Sequence, residues 1–370
     1  MLVAGPPPLA DAVARAGYRY WAGEVPPEDE LGAVWGRVPT VSAEEAERLV
    51  VGDIFARLNV AAMLPSLRAA CEEWQPDLIL RETAEYASAI VGEEHDIPHA
   101  RVAVSLAAGE EQSLSIAGSV LDERRSGIAE SIRASPYLSV FPVSLEDPEA
   151  RQPAVTYRFR DPAERPSAAR LPDWWAENSD PLVYVSFGSQ VGGMPIAGPI
   201  FAAVLEAVAR LPARVLLTVG HETSAASFGR PPLNVHVERW VPQADVLGHA
   251  SAVVCHGGSG TTLGALAAEL PLVVVPLFAD QPDNARRVAA IGAGVAVAAG
   301  DEAPHEPVRS TIDTSALRSA IEAVLADPTY RRCAERVAEE MRALPPTDAA
   351  LAALAKTDTA SGPFLQAPRA

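Results

Sequence analysis

Lysine is all but missing from this chain of 370 residues: of 30 basic residues only Lys356 is a lysine. That excludes a GK[ST] phosphate loop and argues against Schiff-base chemistry. Positive charge as a whole is in deficit, with a net charge of −18 and a pI near 4.8. Nucleic acid and anionic membrane surfaces are therefore poor partners, and any phosphate has to be held by local devices such as backbone amides and helix ends. No Asp-x-Asp occurs. No basic segment followed by an apolar run opens the chain, and no uninterrupted apolar stretch reaches the ~18 residues of a membrane span. A cytoplasmic location is expected. The three cysteines, Cys71, Cys255 and Cys333, are scattered and odd in number, as expected for reduced thiols. Cys255 stands beside His256 and could serve as a nucleophile, but a small buried apolar residue is the better reading.

What is present is apolar material, 48% of the chain. The length exceeds the ~250–300 residues at which single cores stop growing, so two domains are expected. LVAG reads as the end of a strand, Pro6 to Pro8 as a turn and LADAVARAG as a helix stopped by Gly17. Further on come the strand DLILRE, the helix YASAIVGEE, the strand ARVAV and a mixed helix-and-loop region over 106–135. A proline-rich stretch then suggests an interdomain linker. The expected division is a first domain over 1–150, a linker over 151–180, a second domain over 181–356 and a loose tail over 357–370. The second domain opens with the strand and glycine turn PLVYVSFGS. It closes with helices after residue 308, capped by Asp313 or Thr314.

The segment from His236 to Ala285 carries the chemistry. It reads as strand, turn, helix, strand, glycine-rich turn, helix, strand and acidic turn, with its polar residues where strands end. Ligands of open α/β sheets bind beyond those ends. His256 ends the strand SAVVC, and GGSGTT opens a helix, so that the amides at Ser259 to Thr262 suit a diphosphate. A tight turn with no ligand is the alternative. Asp280 and Gln281 end LVVVPLF and offer acceptors and a donor for sugar hydroxyls, or else merely cap a helix. Trp240 can stack on a nucleobase, with Gln243 beside it, although a tryptophan is more often core.

WVPQ (Trp240–Gln243), HGGSGTT (His256–Thr262) and DQPDN (Asp280–Asn284), in this order, resemble the donor domain of nucleotide-sugar glycosyltransferases with the GT-B fold. The bacterial enzymes that decorate macrolides, enediynes and related polyketides are the nearest in look. The resemblance is strong over 181–345. It implies an α/β protein of two Rossmann-like domains facing a cleft. It also implies inverting transfer, without metal or cofactor, from a nucleoside diphosphate sugar to a hydroxyl of a small apolar aglycone. Residue by residue it implies base stacking by Trp240, with Val241 and Gln243 alongside. His256 would hold the diphosphate, with Gly258, Ser259, Gly260 and Thr261 as the amide cradle and Ser189 of the first loop nearby. Asp280 and Gln281 would hold the sugar. Glu82 matches a carboxylate that orients the catalytic base.

Two departures stand out. Gly264 occupies a place where many uridine diphosphate users carry a glutamate that binds ribose hydroxyls, so a thymidine diphosphate deoxysugar is the expected donor. The strand, base-bearing loop and helix that open such enzymes are not found ahead of LVAG. None of the seven histidines matches the base, and the first domain is expected to be incomplete. A nucleotide-sugar-binding remnant is the alternative. An epimerase and a dehydrogenase rank lower: Gly258 and Gly260 followed by Asp280 mimic a dinucleotide fingerprint, but Leu263 stands in place of its third glycine.

Overall fold

A computed structural model of the chain describes residues 1–161, 170–175, 178–223, 230–297 and 311–360. The chain divides into two compact units, each an α/β layer structure around parallel strands. One unit comprises Met1–Ser139, Glu149–Phe159 and the residues from Thr347 onward; the other comprises Val140–Pro148 and Arg160–Pro346.

The first unit holds strands β1 (Leu2–Gly5), β2 (Arg19–Ala22), β3 (Ile79–Glu82), β4 (His99–Val102), β5 (Tyr137–Ser139) and β6 (Thr156–Arg158). β1 and β2 pair with each other, and β3 to β6 form a second parallel sheet in sequence order. Among the described residues neither β1 nor β3 has a strand on its other edge. A helical run from Ala43 to Trp74 packs into this unit and includes a wide-turn π segment, Leu49–Asn59. By length and composition alone that run could cross a membrane. Its residues Val51, Ala56, Val60, Met63, Leu64 and Leu67, however, are buried in the unit's core. The register sets Arg81 of β3 opposite Arg101 of β4, and Arg101 opposite Tyr137 of β5. All three side chains are buried, with the Arg101 guanidinium 5.1 Å from the centre of the Tyr137 ring.

The second unit holds β7 (Leu182–Ser186), β8 (Arg214–Thr218), β9 (Val235–Glu238), β10 (Ala252–Cys255), β11 (Leu272–Val274) and β12 (Gly294–Ala296). They form one parallel sheet in the order β12-β11-β10-β7-β8-β9. Near-continuous burial of LVYVS, VLLT, AVVC and LVV is what a parallel sheet covered on both faces requires. The helix Ala197–Val208 places Ile200, Phe201 and Val204 in the same core, and Leu317, Ile321 and Val324 of the helix Thr314–Ala326 join it. Asp313 caps the latter helix by accepting from the amides of Ser315 and Ala316.

Three boundaries differ from the sequence-based expectation. The stretch read as a linker over 151–180 contains β6, the outer strand of the first unit's sheet. The region 106–135 is almost wholly helical, as Ala107–Arg124 and Ile128–Ala134. The helix Thr347–Ala360 belongs to the first unit, not the second: Leu354 packs against Ala100 and Leu138. Of the loose tail expected over 357–370, residues 357–360 instead end the helix Thr347–Ala360, and 361–370 lie outside the described residues.

Candidate functional site

The strand order of the second unit reverses between β7 and β10. From β7 the chain winds outward to β8 and β9, then returns to place β10 on the other side of β7. At such a switch point the turns leaving two adjacent strands part and open a crevice beyond their carboxyl ends. The turns here are Phe187-Gly188-Ser189 and His256-Gly257-Gly258.

Glycine is required at these turns. Gly188 and Gly257 adopt φ of +72° and +89°, which side-chain-bearing residues rarely do. The His256 ring sits between glycines: a Cβ on Gly188 would lie 3.0 Å from its Cε1, and one on Gly258 2.5 Å from its Nε2. Burial lowers the His256 pKa to about 4, so the imidazole is neutral at neutral pH. Its Nδ1 is enclosed without a hydrogen-bond partner. Next door Cys255 is fully buried and its thiol is pushed up to about 11, which removes it as a nucleophile.

The helix Ser259–Ala267 starts directly after this turn. Gly258 stands at its N-cap and supplies no side-chain acceptor. The first amides of a helix have no partner within it, so those of Ser259, Gly260 and Thr261 carry the positive helix end into the crevice. Around Gly260 the space is open, with nothing within 4 Å of where a Cβ would stand.

β11 feeds the second polar turn. Ala279 is held at φ +56°. Asp280 follows at the start of the helix Gln281–Ala290. Its Oδ2 accepts from Ser259 Oγ at 3.1 Å and from Asn284 Nδ2 at 2.9 Å, joining the two turns. Burial raises the Asp280 pKa and these hydrogen bonds oppose the rise. Gln281 differs from expectation. It is buried, and its Oε1 accepts from the amides of Leu277 at 2.8 Å and Phe278 at 3.1 Å. Its carbonyl therefore shapes the loop, leaving only the amide nitrogen for a ligand.

Trp240 is 56% exposed, as a stacking platform requires, and its indole lies 5.8 Å from the His221 ring at 24°. Val241 is half-buried. Gln243 opens the helix Gln243–Leu247 and turns its amide toward Gly260 O, at 3.5 Å. That amide occupies a notch left by Gly264, where a Cβ would stand 2.4 Å from Gln243 Nε2. Ser189 is exposed in the β7 turn. The second unit thus gathers Ser189, Gln243, His256, Gly258, Ser259, Gly260, Thr261, Asp280 and Gln281 on the turns at one edge of its sheet. Glu82 belongs to the other unit, at the end of β3, where its Oε1 accepts from Thr83 Oγ1 and the Ala84 amide, both at 2.9 Å. Sequence reasoning passed over Asn284 and His221. The first was visible inside DQPDN; the second has no signal in the sequence.

A sheet of this order, with a crevice at its switch point, is a ligand-binding half of the doubly wound α/β type, and comparisons with known proteins give its family. Residues 202–355 match the family described as erythromycin biosynthesis protein CIII-like, C-terminal domain. The elloramycin glycosyltransferase ElmGT of Streptomyces olivaceus is 33% identical over 303 residues, 78% of this chain and 70% of that protein. The L-demethylnoviosyl transferase of Streptomyces niveus is 30% identical over 296 residues, 78% of this chain and 73% of that one. In fold, the spinosyn rhamnosyltransferase SpnG complexed with thymidine diphosphate superposes with a TM-score of 0.74 at 23% identity, covering 96% of this chain and 91% of that one. The chain belongs to the family of antibiotic-biosynthesis glycosyltransferases with the GT-B fold.

Proposed function

We propose that this glycosyltransferase moves a deoxysugar from a thymidine diphosphate donor to a hydroxyl of an apolar natural-product aglycone, with inversion and without a metal. The observation that carries the reading is the joined pair of turns at the β7–β10 switch point: a neutral His256 and the helix start at Ser259–Thr261 beside the Asp280 carboxylate. Diphosphate lies against the helix start, where unpartnered amides and the helix dipole offset the charge that develops on the leaving group. His256, uncharged, donates a hydrogen bond to it. Asp280, with Oδ2 engaged by the protein, turns Oδ1 to a sugar hydroxyl. Trp240 stacks on the base. The residues need no metal to hold the diphosphate; the helix end supplies the counter-charge.

The choice of thymidine diphosphate rests on Gly264. Gln243 fills the notch above it, so no side chain at 264 reaches a ribose 2′-hydroxyl from this helix. A 2′-deoxyribose has none to bind. The named complex of SpnG with thymidine diphosphate supports this choice. Inversion follows from a single displacement at the sugar carbon, for which the acceptor hydroxyl needs a base. Glu82 is the carboxylate that would orient that base, a role assigned to none of the seven histidines. The three cysteines are free and buried, in keeping with a cytoplasmic reaction.

Calorimetric titration with thymidine diphosphate, UDP and NAD tests the proposal. Thymidine diphosphate is expected to bind most tightly, and His256→Ala to weaken it by roughly 10- to 100-fold, the size of a lost hydrogen bond to a charged group. Affinity for UDP equal to or above that for thymidine diphosphate would remove the donor assignment. Tighter binding of NAD would remove the transferase reading of this site.

A further inference from the structure

The Asn284 side chain is 1% exposed, deeper than any of the groups assigned to the ligand. Its Nδ2 lies 2.8 Å from Gly257 O, 2.9 Å from Asp280 Oδ2 and 3.5 Å from Ser259 Oγ. Two of these are obligate acceptors, so the amide nitrogen must face them; a flipped amide would set oxygen against oxygen. An amide has two hydrogens. One serves the carbonyl of the diphosphate turn and the other the carboxylate of the second turn.

Asn284 and Asp280 stand four residues apart at the start of one helix, which fixes their spacing. Ser259 donates to the same Oδ2 from the helix that follows the diphosphate turn. Oδ2 is thereby held by two donors from two directions, leaving the carboxylate little freedom to rotate. Gly257 itself has no freedom to adapt. Its φ is +89°, and a Cβ there would lie 2.8 Å from Val274 Cγ1 and 3.0 Å from Gln281 O.

We propose that Asn284 is a positioning residue that ties the Asp280 carboxylate to the Gly257–Ser259 turn, so that recognition of the donor sugar and the cradle for its diphosphate are held as one unit. This rests on the reading of the site as a sugar-nucleotide site. Asn284 touches no substrate; its effect passes through Asp280 Oδ1, which it aims. A loss at Asn284 should therefore fall on the part of donor affinity that the sugar contributes.

The test compares dissociation constants for thymidine diphosphate and thymidine diphosphate glucose by calorimetry. In the unaltered chain the sugar is expected to tighten binding at least about threefold, the lower range for a hydrogen bond to a carboxylate. In Asn284→Ala the two ligands should bind alike, while thymidine diphosphate alone weakens by less than about threefold. Asn284→Ser, which replaces two donor hydrogens by one, should lower the sugar's contribution without abolishing it. This smaller change serves even where Asn284→Ala fails to fold. Equal weakening of both ligands in either variant, or an undiminished sugar contribution, would overturn the proposal, as would an unaltered chain that gains nothing from the sugar. Failure of the unaltered chain to bind either ligand would instead bring down the site reading, and this proposal with it.

Discussion

In the second unit, strands β7, β8, β10 and β11 bury mainly valine, leucine and alanine, and apart from Tyr184 within β7 and Arg214 at the start of β8 their polar groups wait for the last residue or the turn beyond it. In the first unit, β3 and β4 carry Arg81, His99 and Arg101 inside the strands, all buried. Burial lowers the pKa of both arginines. Arg81 Nη1 spans three carbonyls, of Glu82, Thr83 and Glu85, and so fixes the turn after β3 from beneath. One sheet is an apolar slab with chemistry confined to its rim. The other uses buried charge to shape the loops that leave it. A slab can be shared among relatives while its rim varies; a sheet wired by charge ties its loops to its own interior.

Placing charge in the slab should have the largest effect. Val254 is fully buried in β10. Val254→Asp is expected to cost more than about 4 kcal/mol, enough to abolish a cooperative thermal transition, because the carboxylate would find no partner. An Asp variant that melts within a few degrees of the parent would show the slab to be wetter than described.

Acid titration separates the units next. Burial pushes the Glu110 carboxyl of the first unit up to about 7. It keeps a proton that the unfolded chain has released, so its contribution is fully present below the unfolded value and is lost as pH rises through about 7. His256 in the second unit, lowered to about 4, behaves oppositely: its contribution is present above the unfolded value of 6.5 and is lost as pH falls toward about 4. Between pH 5 and 6.5 the two pull in opposite directions, each by up to about 3 kcal/mol over its full range. Glu110→Gln should remove the falling component and His256→Asn the rising one, read from urea midpoints across pH. His99, whose pKa burial also lowers, is unchanged in both arms. Slopes that survive both substitutions would assign the pH dependence elsewhere.

A smaller effect is expected at the rim. Gly264→Glu must displace the Gln243 amide, since even a Cβ there meets it at 2.4 Å. The preference for thymidine diphosphate over UDP should narrow by roughly tenfold, about the value of one hydrogen bond to a charged group. An unchanged ratio of dissociation constants would detach donor choice from this notch. Smallest of all is removal of charge from the wired sheet. Arg101→Met with Glu110→Gln should alter stability by less than about 1 kcal/mol, because buried charges return little over uncharged replacements of similar volume. A large loss in the melting temperature would mean that the wiring carries stability as well as shape.

The second unit was legible in the sequence because its strands are continuous apolar runs ended by glycine, and because its ligand groups stand at those ends. The first unit was less so. β6 has only three residues, Thr156–Arg158, none of them fully buried, and prolines nearby read as a linker. β11 stops at Val274 although the apolar run continues through Pro276 to Phe278, since the turn toward Asp280 needs that length. The loop-shaping bonds of the Gln281 carbonyl had no pattern in the sequence for a simple reason: a side-chain carbonyl serves the protein's own amides as readily as a sugar's hydroxyls, and only coordinates separate the two. Glu82 was placed correctly at a strand end, but its bonds to its own turn have no pattern in the sequence.

The helix Thr347–Ala360 has a consequence for how the protein is made. It packs on β6, and its Leu354 completes a core with Ala100 and Leu138. The first unit to leave the ribosome is therefore the last to be finished. The whole second unit, with mainly local βα steps, is synthesised in between and can close by itself. Until residue 354 emerges, the face of β4 and β5 that it covers stays open to solvent and to other nascent chains. Cleavage between Arg342 and Thr347 would leave the second unit's sheet whole and strip the first unit of its seal, an asymmetry that limited proteolysis of refolding intermediates would detect.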